Sequence, residues 1–292
     1  ATMDASRVLD SSLPPHMAET SPAAAPPWRR ISILGVPVDT LDRAAALASV
    51  TATIAESRER ARTPRPTRQI VTLNPEILMR ARQDTAVLRI LADADLIVPD
   101  GIGIVLAARL LGTPLPERVT GVDLLESIAE LAAARGWRIF LLGAAPGVAD
   151  GAAVRLKVRF PALRVAGTFS GSPASDDDAA CVERIRSSAA DVVFVAFGAP
   201  AQERWIARTR GQLGAAVAVG IGGASDFVSG RVARAPRWMR RIGLEWLYRL
   251  LRQPWRWRRM TALPRFAAAV CAARCRRWAR SPTGAGVRHG QQ

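Results

Sequence analysis

Polar residues that could do chemistry follow three segments predicted to be strands. Thr72 and Asn74 follow the first segment and offer a hydroxyl and an amide to a ligand. Asp100 lies between the second segment and a glycine turn, where a carboxylate can take a proton from a substrate hydroxyl. Gln202 lies on the first turn of the helix after the third segment, where backbone amides and the helix dipole favour a phosphate. Because ligands of α/β folds bind beyond the carboxyl ends of the strands, these residues are candidates for a functional site.

Two of these residues also have a structural explanation when each is taken alone. Asn74 could cap the helix that follows it, and Asp100 could stabilise its own turn. The residue types by themselves leave both explanations open.

Strands and helices alternate in the predicted structure from Ile31 onward. The predicted strands are Ile31–Val38, Gln69–Leu73, Leu96–Val98, Arg138–Leu142, Leu163–Thr168, Val192–Phe197 and Ala215–Gly220. The predicted helices are Leu41–Arg60, Glu76–Ala92, Gly121–Arg135, Val148–Arg159, Ser175–Ala190 and Gln202–Thr209. Strands separated by helices of this length form βαβ units. The sequence therefore predicts an α/β fold with a Rossmann-like, mostly parallel sheet flanked by helices, followed by a basic helical appendage at its C-terminal end.

The C-terminal segment is strongly basic and has no predicted strand. Residues 231–280 contain fifteen arginines and five tryptophans but one acid, Glu245. Pro236–Gln253 is predicted to be one amphipathic helix, and Trp255–Arg280 is a second basic segment that Pro264 interrupts. Such a surface suits anionic lipid headgroups, because arginine binds phosphate and tryptophan prefers the membrane interface. It suits nucleic acid equally well, so composition alone leaves both partners open.

Residues able to hold a metal ion are scarce. The two histidines, His16 and His289, lie close to the chain ends, and the three cysteines lack the spacing of metal ligands. Asp93 and Asp95 form an Asp-x-Asp pattern, but they lie at a helix end just before a strand. We therefore expect neither a metal ion nor a cofactor.

The polar residues belong to a longer series of short motifs. In order, these are Thr72-x-Asn74, Pro99-Asp100-Gly101-x-Gly103, Arg118-Val-Thr-Gly121, Gly198-x-Pro200-x-Gln202-Glu203, Gly222-Gly-Ala-Ser-Asp226-Phe227, Arg234-Ala-Pro236-Arg237-Trp238-Met239 and Gly243-Leu-Glu245-Trp246-Leu247-Tyr248-Arg249-Leu250. From about Ile31 to Met260, the sequence resembles the WecG/TagA/CpsF family of bacterial glycosyltransferases, glycosyltransferase family 26. Chance agreement over so many motifs in one order is remote.

The resemblance implies an inverting, metal-independent transfer of a sugar from a UDP donor to a monosaccharide on undecaprenyl diphosphate. Such a reaction serves the synthesis of a bacterial surface polysaccharide or exopolysaccharide. Related enzymes use a UDP-N-acetylmannosamine-type donor, and one branch uses UDP-glucose. The alternative is a nucleic-acid-binding protein that uses the Arg/Trp-rich C-terminal segment, but it gives no reason for the upstream motifs. An inactive scaffold with the same fold would leave the motif residues equally unexplained.

The family motifs also imply functions for individual residues. Asp100 is the implied base, and Thr72 and Gln202 are the other implied catalytic residues. The implied substrate-binding residues are Asn74, Arg118, Asp226, Arg234, Arg237 and Arg249. Of these, Arg118 and Asp226 match motif positions associated with nucleotide-sugar binding, and the last three are expected near the diphosphate. Ser225 departs from the family pattern, which often has phenylalanine there, and this departure weakens the nucleotide contacts inferred around it.

These expectations divide the chain into four segments. Residues 1–29 are expected to be a disordered leader, 30–230 the α/β catalytic domain, 231–280 a basic amphipathic appendage that docks on a membrane, and 281–292 a disordered tail. Because the sequence has no apolar run of about 18 residues and no apolar region of a signal peptide, neither a spanning helix nor secretion is expected. We expect a peripheral protein on the cytoplasmic face of the inner membrane, with anionic lipid and not nucleic acid as its partner. It is also a candidate homo-oligomer.

Overall fold

The computed structural model describes residues 28–59, 65–254 and 257–279. Apart from its last two residues, the expected leader lies outside this described part, as does the expected tail. The strands are β1 (Arg30–Ile33), β2 (Val36–Asp39), β3 (Arg68–Leu73), β4 (Leu96–Pro99), β5 (Arg138–Gly143), β6 (Arg164–Phe169), β7 (Val192–Ala196) and β8 (Val217–Gly220). The helices are α1 (Arg43–Glu59), α2 (Pro75–Ala81), α3 (Thr85–Ala92), α4 (Ile102–Leu110), α5 (Gly121–Arg135), α6 (Val148–Arg159), α7 (Asp178–Ser188), α8 (Ala201–Thr209), α9 (Ala224–Val228), α10 (Arg237–Arg241), α11 (Glu245–Arg252), α12 (Trp257–Met260) and α13 (Ala262–Ala279).

The strands from β3 to β8 form one parallel sheet of six strands in the order β4-β3-β8-β7-β5-β6. The central strands β7 and β8 are buried along their whole length, as expected when helices cover both faces of a parallel sheet. The helices α1, α5 and α6 pack on one face, and α7 and α8 pack on the other. The predicted α/β fold, with a mostly parallel sheet flanked by helices, is confirmed.

The prediction of one strand over Ile31–Val38 is wrong, because this segment folds back on itself. Strands β1 and β2 pair antiparallel and form a separate two-stranded sheet. The reversal occurs at Leu34 and Gly35, whose φ angles are 53° and 87°. The hairpin adjoins the edge strand β4, since the Ile97 amide donates to Asp39 Oδ2 at 2.8 Å.

The prediction of one helix over Glu76–Ala92 is also wrong, because the chain forms α2 and α3 in this region. Asp84 lies between these two helices and begins the second of them. Its Oδ1 accepts from the amides of Ala86 and Val87 at 3.1 and 3.3 Å, which is how an N-cap starts a new helix. Helix α4, which follows Asp100, was not predicted.

The predicted single helix Pro236–Gln253 is two helices, α10 and α11, because the chain turns at Gly243. This glycine has a φ of 78°, and an added Cβ would lie 2.7 Å from the side chain of Ile102 on α4. A larger residue would therefore meet both backbone strain and a steric clash. The turn lets the basic segment pack closely against the α/β core.

The last helix, α13, is anchored to the same core. Phe266 and Val270 are buried in a cluster formed by the hairpin, α2, α3 and α4. Pro264 lies in the first turn of α13, where its missing N–H removes no helical hydrogen bond. The prediction that Pro264 interrupts this segment is therefore wrong. None of the helices in the described ranges has the length and apolar character needed to cross a membrane.

Candidate active site

A cavity of about 870 Å³ opens at the carboxyl ends of the sheet strands. It is bounded on one side by the residues that follow β3, β4, β7 and β8, and on the other by α11 and the segment after α9. Six of the nine residues implied to be functional line it: Thr72, Asn74, Asp100, Gln202, Asp226 and Arg249. The fold thus brings together residues that are far apart in the sequence, at the edge where α/β proteins bind ligands.

Asp100 is held between β3 and the start of α5. Its amide donates to the carbonyl of Leu73 at 2.7 Å, and its Oδ2 accepts from the Gly121 amide at 3.2 Å. Burial raises the pKa of the Asp100 carboxyl to about 6, although the Gly121 hydrogen bond and the charges of Arg118 and Arg249 act in the opposite direction. The carboxyl is therefore mostly ionised at neutral pH and can accept a proton within the cavity.

Thr72 and Asn74 each use part of their hydrogen-bonding capacity within the fold. The buried hydroxyl of Thr72 donates to the carbonyl of Gly220 at 2.8 Å and ties β3 to β8. Asn74 Oδ1 accepts from the Ile77 amide at 2.9 Å and caps α2, as its structural explanation predicts. The Thr72 hydroxyl can therefore still accept a hydrogen bond from a ligand, and the NH₂ group of Asn74 can donate one.

Gln202 holds two loops of the cavity together. It is 1% exposed, and its Oε1 accepts from the amides of Gly198 at 3.2 Å and Gly222 at 2.9 Å. Its Nε2 donates to Glu203 Oε1 at 2.8 Å. Gly220 leaves room for this amide, because an added Cβ would lie 2.7 Å from Gln202 Nε2. The side chain therefore shapes the floor of the cavity from within the protein.

Arg249 comes from α11 and supplies a guanidinium to the cavity. Its Cζ lies 4.5 Å from the centre of the Phe227 ring, in cation–π geometry. Gly223 allows its close approach, since an added Cβ there would lie 2.6 Å from Arg249 Nη2 and 3.5 Å from Asp226 Oδ2. Burial lowers the pKa of Arg249, but an arginine stays charged in proteins. A fixed cation thus faces the same cavity as Asp100.

The other three implied arginines do not line this cavity. Arg234 is held by two carboxylates, at 2.7 Å from Asp123 and 3.4 Å from Glu245. Arg118 lies 4.0 Å from Glu245. Arg237 lies beside Arg118, around a separate pocket of about 290 Å³ that Arg240 and Arg241 complete. In this structure, Arg118 and Arg234 therefore link the basic appendage to the region around α5.

Some residues of the cavity were not among those implied by the sequence. Arg252 and Gln253 line it from the end of α11, and Arg259 lines it from α12 and pairs with Glu76 at 3.0 Å. Arg252 follows Arg249 by three positions, a spacing that puts both residues on one face of a helix. Helical periodicity was thus the signal for Arg252, whereas Arg259 lies in a segment without a clear pattern.

The Asp-x-Asp pattern serves the fold. Asp95 Oδ2 accepts from the Gln69 amide at 2.8 Å and pairs with Arg210 at 2.7 Å. Within the described residues, no group of three or more His, Cys, Asp or Glu side chains is arranged to hold a metal ion.

Two groups share one cavity at the carboxyl edge of a parallel sheet: the Asp100 carboxyl, whose pKa burial raises to about 6, and the partly buried guanidinium of Arg249. An ionisable carboxyl and a fixed cation in such a cavity are typical of the active site of an α/β enzyme. The chain belongs to the glycosyl transferase WecG/TagA/CpsF family, whose model matches residues 31–280. The predicted resemblance is confirmed, and with it the prediction of a glycosyltransferase.

Three bacterial relatives have substantial identity to this chain. A protein of Bacillus spizizenii is 43% identical over 201 residues, which are 69% of this chain and 77% of the relative. A protein of Bacillus subtilis is 39% identical over 201 residues, 69% of this chain and 78% of the relative. A Staphylococcus aureus protein is 34% identical over 205 residues, 70% of this chain and 80% of the relative. Each of the three is named N-acetylglucosaminyldiphosphoundecaprenol N-acetyl-beta-D-mannosaminyltransferase.

Proposed function

We propose that the protein transfers N-acetylmannosamine from UDP to the N-acetylglucosamine of a diphosphoundecaprenol lipid, with inversion and without a metal ion. The names of the relatives support this acceptor, and they favour N-acetylmannosamine over glucose as the donor sugar. The observation that carries the proposal is the joint location of Asp100 and Arg249 in one cavity, because the reaction needs a base and a cation.

The reaction is a single displacement at the anomeric carbon of the donor. The Asp100 carboxylate takes the proton of an acceptor hydroxyl, and the hydroxyl oxygen bonds to the anomeric carbon as the bond from that carbon to the UDP oxygen breaks. Attack opposite the leaving group inverts the anomeric configuration. Because the pKa of Asp100 is raised to about 6, the carboxyl is a stronger base than an exposed aspartate and still ionised at neutral pH.

The charge that develops on UDP is stabilised by arginine. Arg249 is packed over the Phe227 ring, so little rearrangement is needed as the diphosphate departs. Charge-assisted hydrogen bonds from a guanidinium to phosphate oxygens can neutralise a diphosphate without a metal ion. Asn74 and Asp226, which line the same cavity, are the proposed contacts to the rest of the substrate.

A panel of UDP-sugars with N-acetylglucosaminyl-diphosphoundecaprenol tests the proposed function. The purified full chain is expected to turn over UDP-N-acetylmannosamine in excess EDTA and to prefer it to UDP-glucose. Preference for UDP-glucose would show that the donor is assigned wrongly. Loss of turnover in EDTA, with recovery on addition of Mg²⁺, would contradict the metal-independent reaction. Failure of every UDP-sugar would reject the reaction itself.

The basic appendage is proposed to place the cavity at a membrane surface, on the cytoplasmic face of the inner membrane. Trp238 on α10 and Trp246 on α11 are 62% and 38% exposed, and both helices carry arginines. Exposed indoles and arginines together suit a surface of anionic lipid. A lipid-linked acceptor would meet the enzyme at this surface.

Replacement of both Trp238 and Trp246 by alanine is expected to weaken binding to vesicles of anionic lipid by about tenfold or more, because each indole loses apolar burial in the interface. Sedimentation with vesicles measures this binding. Val158→Ser removes an exposed apolar side chain from α6, outside the appendage, and is expected to bind like the wild type. Equal binding by all three proteins would place the docking surface elsewhere.

A further inference from the structure

We propose that Glu203 is a positioning residue that fixes the orientation of the Gln202 amide and thereby joins the two glycine loops of the cavity. Glu203 does not line the cavity, so it acts through its neighbour. The inference deepens the proposed function, since it rests on this cavity being the active site. No motif position implied such a function for Glu203.

The Gln202 amide has one orientation that satisfies its surroundings. Its Oε1 faces two donors, the amides of Gly198 and Gly222, which have positive φ angles of 79° and 51°. If the amide were flipped, the NH₂ group would face these two N–H groups and both hydrogen bonds would be lost. The two ends of the amide have nearly the same shape, so packing alone does not select between them.

Glu203 provides that selection. Its Oε1 accepts from Gln202 Nε2 at 2.8 Å, and a carboxylate oxygen can only accept. The carboxylate therefore favours the orientation in which Gln202 Oε1 faces the two loops. Gly220 leaves space for the pair, because an added Cβ would lie 2.7 Å from Gln202 Nε2 and 3.3 Å from Glu203 Oε1.

The burial of Glu203 is costly for a residue whose only function is packing. The side chain is 1% exposed, and its Oε2 is buried without a hydrogen-bond partner among the described residues. An apolar side chain of similar size would fill the space without this desolvation. Burial raises the pKa of Glu203 to about 7, whereas the Gln202 hydrogen bond, the amide of Glu203 itself and the charge of Arg259 act in the opposite direction. The ionised form, which accepts more strongly from Gln202, is thus populated as the pH rises through about 7.

Two variants of the full chain distinguish the effect of the hydrogen bond that the Glu203 carboxyl accepts from the effect of the volume that its side chain fills. Glu203→Met keeps the volume but removes the acceptor, and Glu203→Gln keeps an acceptor oxygen but does not titrate. NMR of glycine-¹⁵N-labelled protein reports hydrogen exchange and the pH dependence of the Gly198 and Gly222 amides without any turnover. Glu183→Gln on α7 is the control, because this glutamate is exposed and pairs with Arg186.

In Glu203→Met, both glycine amides are expected to exchange at least tenfold faster, and the donor KM is expected to rise more than kcat falls. Glu203→Gln is expected to restore slow exchange, whereas the pH titration of the two amide signals near 7 is lost. Wild-type exchange in a folded Glu203→Met protein, with fast exchange in Gln202→Ala, would overturn the proposal. If Glu203→Met does not fold, fast exchange of both amides in a folded Glu203→Gln protein would also overturn it. Because exchange is measured without substrate, a wild type that turns over no UDP-sugar rejects the reaction and leaves this test intact.

Discussion

Replacement of Asp100 by asparagine is expected to lower turnover by about 10²–10⁴-fold, the usual contribution of a general base. The amide has nearly the shape of the carboxyl and keeps an oxygen that can accept from the Gly121 amide, which lies 3.2 Å from Asp100 Oδ2. It cannot take a proton from the acceptor hydroxyl. Binding of UDP is expected to persist, because Arg249 is unchanged. Steady-state kinetics and calorimetry with UDP measure the two properties on the same protein.

The control for this variant is Asp176→Asn, which changes an exposed carboxyl in the turn before α7, outside the cavity. It is expected to keep the turnover of the wild type. If Asp100→Asn turns over at a rate near that of the wild type, Asp100 is not the base. If it loses UDP binding together with turnover, the substitution has disturbed the cavity and does not isolate the proton transfer.

Replacement of Arg249 by alanine is expected to lower turnover by about 10²–10³-fold, the loss typical when a group that stabilises transition-state charge is removed. UDP affinity is expected to fall as well, since the guanidinium binds the diphosphate before and after the transfer. Arg249→Lys keeps a charge but loses the planar group that lies 4.5 Å from the Phe227 ring, so it is expected to recover only part of the rate. Turnover and UDP affinity of both variants, with thermal melting as a check of folding, measure these effects.

Arg276→Ala is the matched control for the lost positive charge. Arg276 is exposed on α13, within the same basic appendage, and does not line the cavity. Its removal lowers the positive charge of the appendage by the same amount as the removal of Arg249. Equal losses of turnover in the two alanine variants would mean that Arg249 acts through general membrane attraction and not within the site.

The sheet could be predicted from local patterns because each of its strands is a short apolar run between helical segments. The predicted strands from Gln69–Leu73 onward match β3 to β8 to within one or two residues. The order of the strands could not be predicted, since it depends on pairings between distant segments. The same limit applies to the hairpin β1–β2, where the reversal at Leu34 and Gly35 interrupts a run that is apolar enough for one continuous strand.

Two helix boundaries were predicted wrongly, one for a local reason and the other because of a distant contact. Asp84 is of a residue type that often caps helices, but only its side-chain bonds to two following amides show that it begins α3. Gly243 ends α10 because its backbone turns where the Ile102 side chain leaves no room for a Cβ. At Asp84 the sequence contains a signal, which is a capping residue type within a helical pattern. At Gly243 the cause is a contact with Ile102, which is 141 residues away in the sequence.

Residues of the site were predicted where a motif placed a polar side chain at the end of a strand, as for Thr72 and Asp100. The arginines were harder to assign, because sequence shows their charge and not their partners. Arg234 is already neutralised by Asp123 and Glu245, whereas Arg249 lies in the cavity. Among these arginines, the three-dimensional pairing decides which ones are free for a substrate phosphate.

Glu203 was missed although a signal was present. The buried residues of α8 include Gln202, Trp205, Ile206 and Thr209, which follow the helical spacing of a single face. This pattern turns Gln202 toward the interior and not toward solvent. A polar pair at the start of a buried helix face then predicts an internal hydrogen bond, and the structure shows it between Gln202 and Glu203.

The pH dependence of kcat/KM for the acceptor, measured between pH 5 and 8 with the donor saturating, tests most directly whether Asp100 is the base of this glycosyltransferase. Because the pKa of Asp100 is raised to about 6, the carboxyl is ionised above that pH and protonated below it. We expect kcat/KM to fall about tenfold for each pH unit below 6, and we expect Asp100→Asn to lack this acidic limb. A wild-type rate that stays constant from pH 8 down to pH 5, or an unchanged limb in Asp100→Asn, would contradict this expectation.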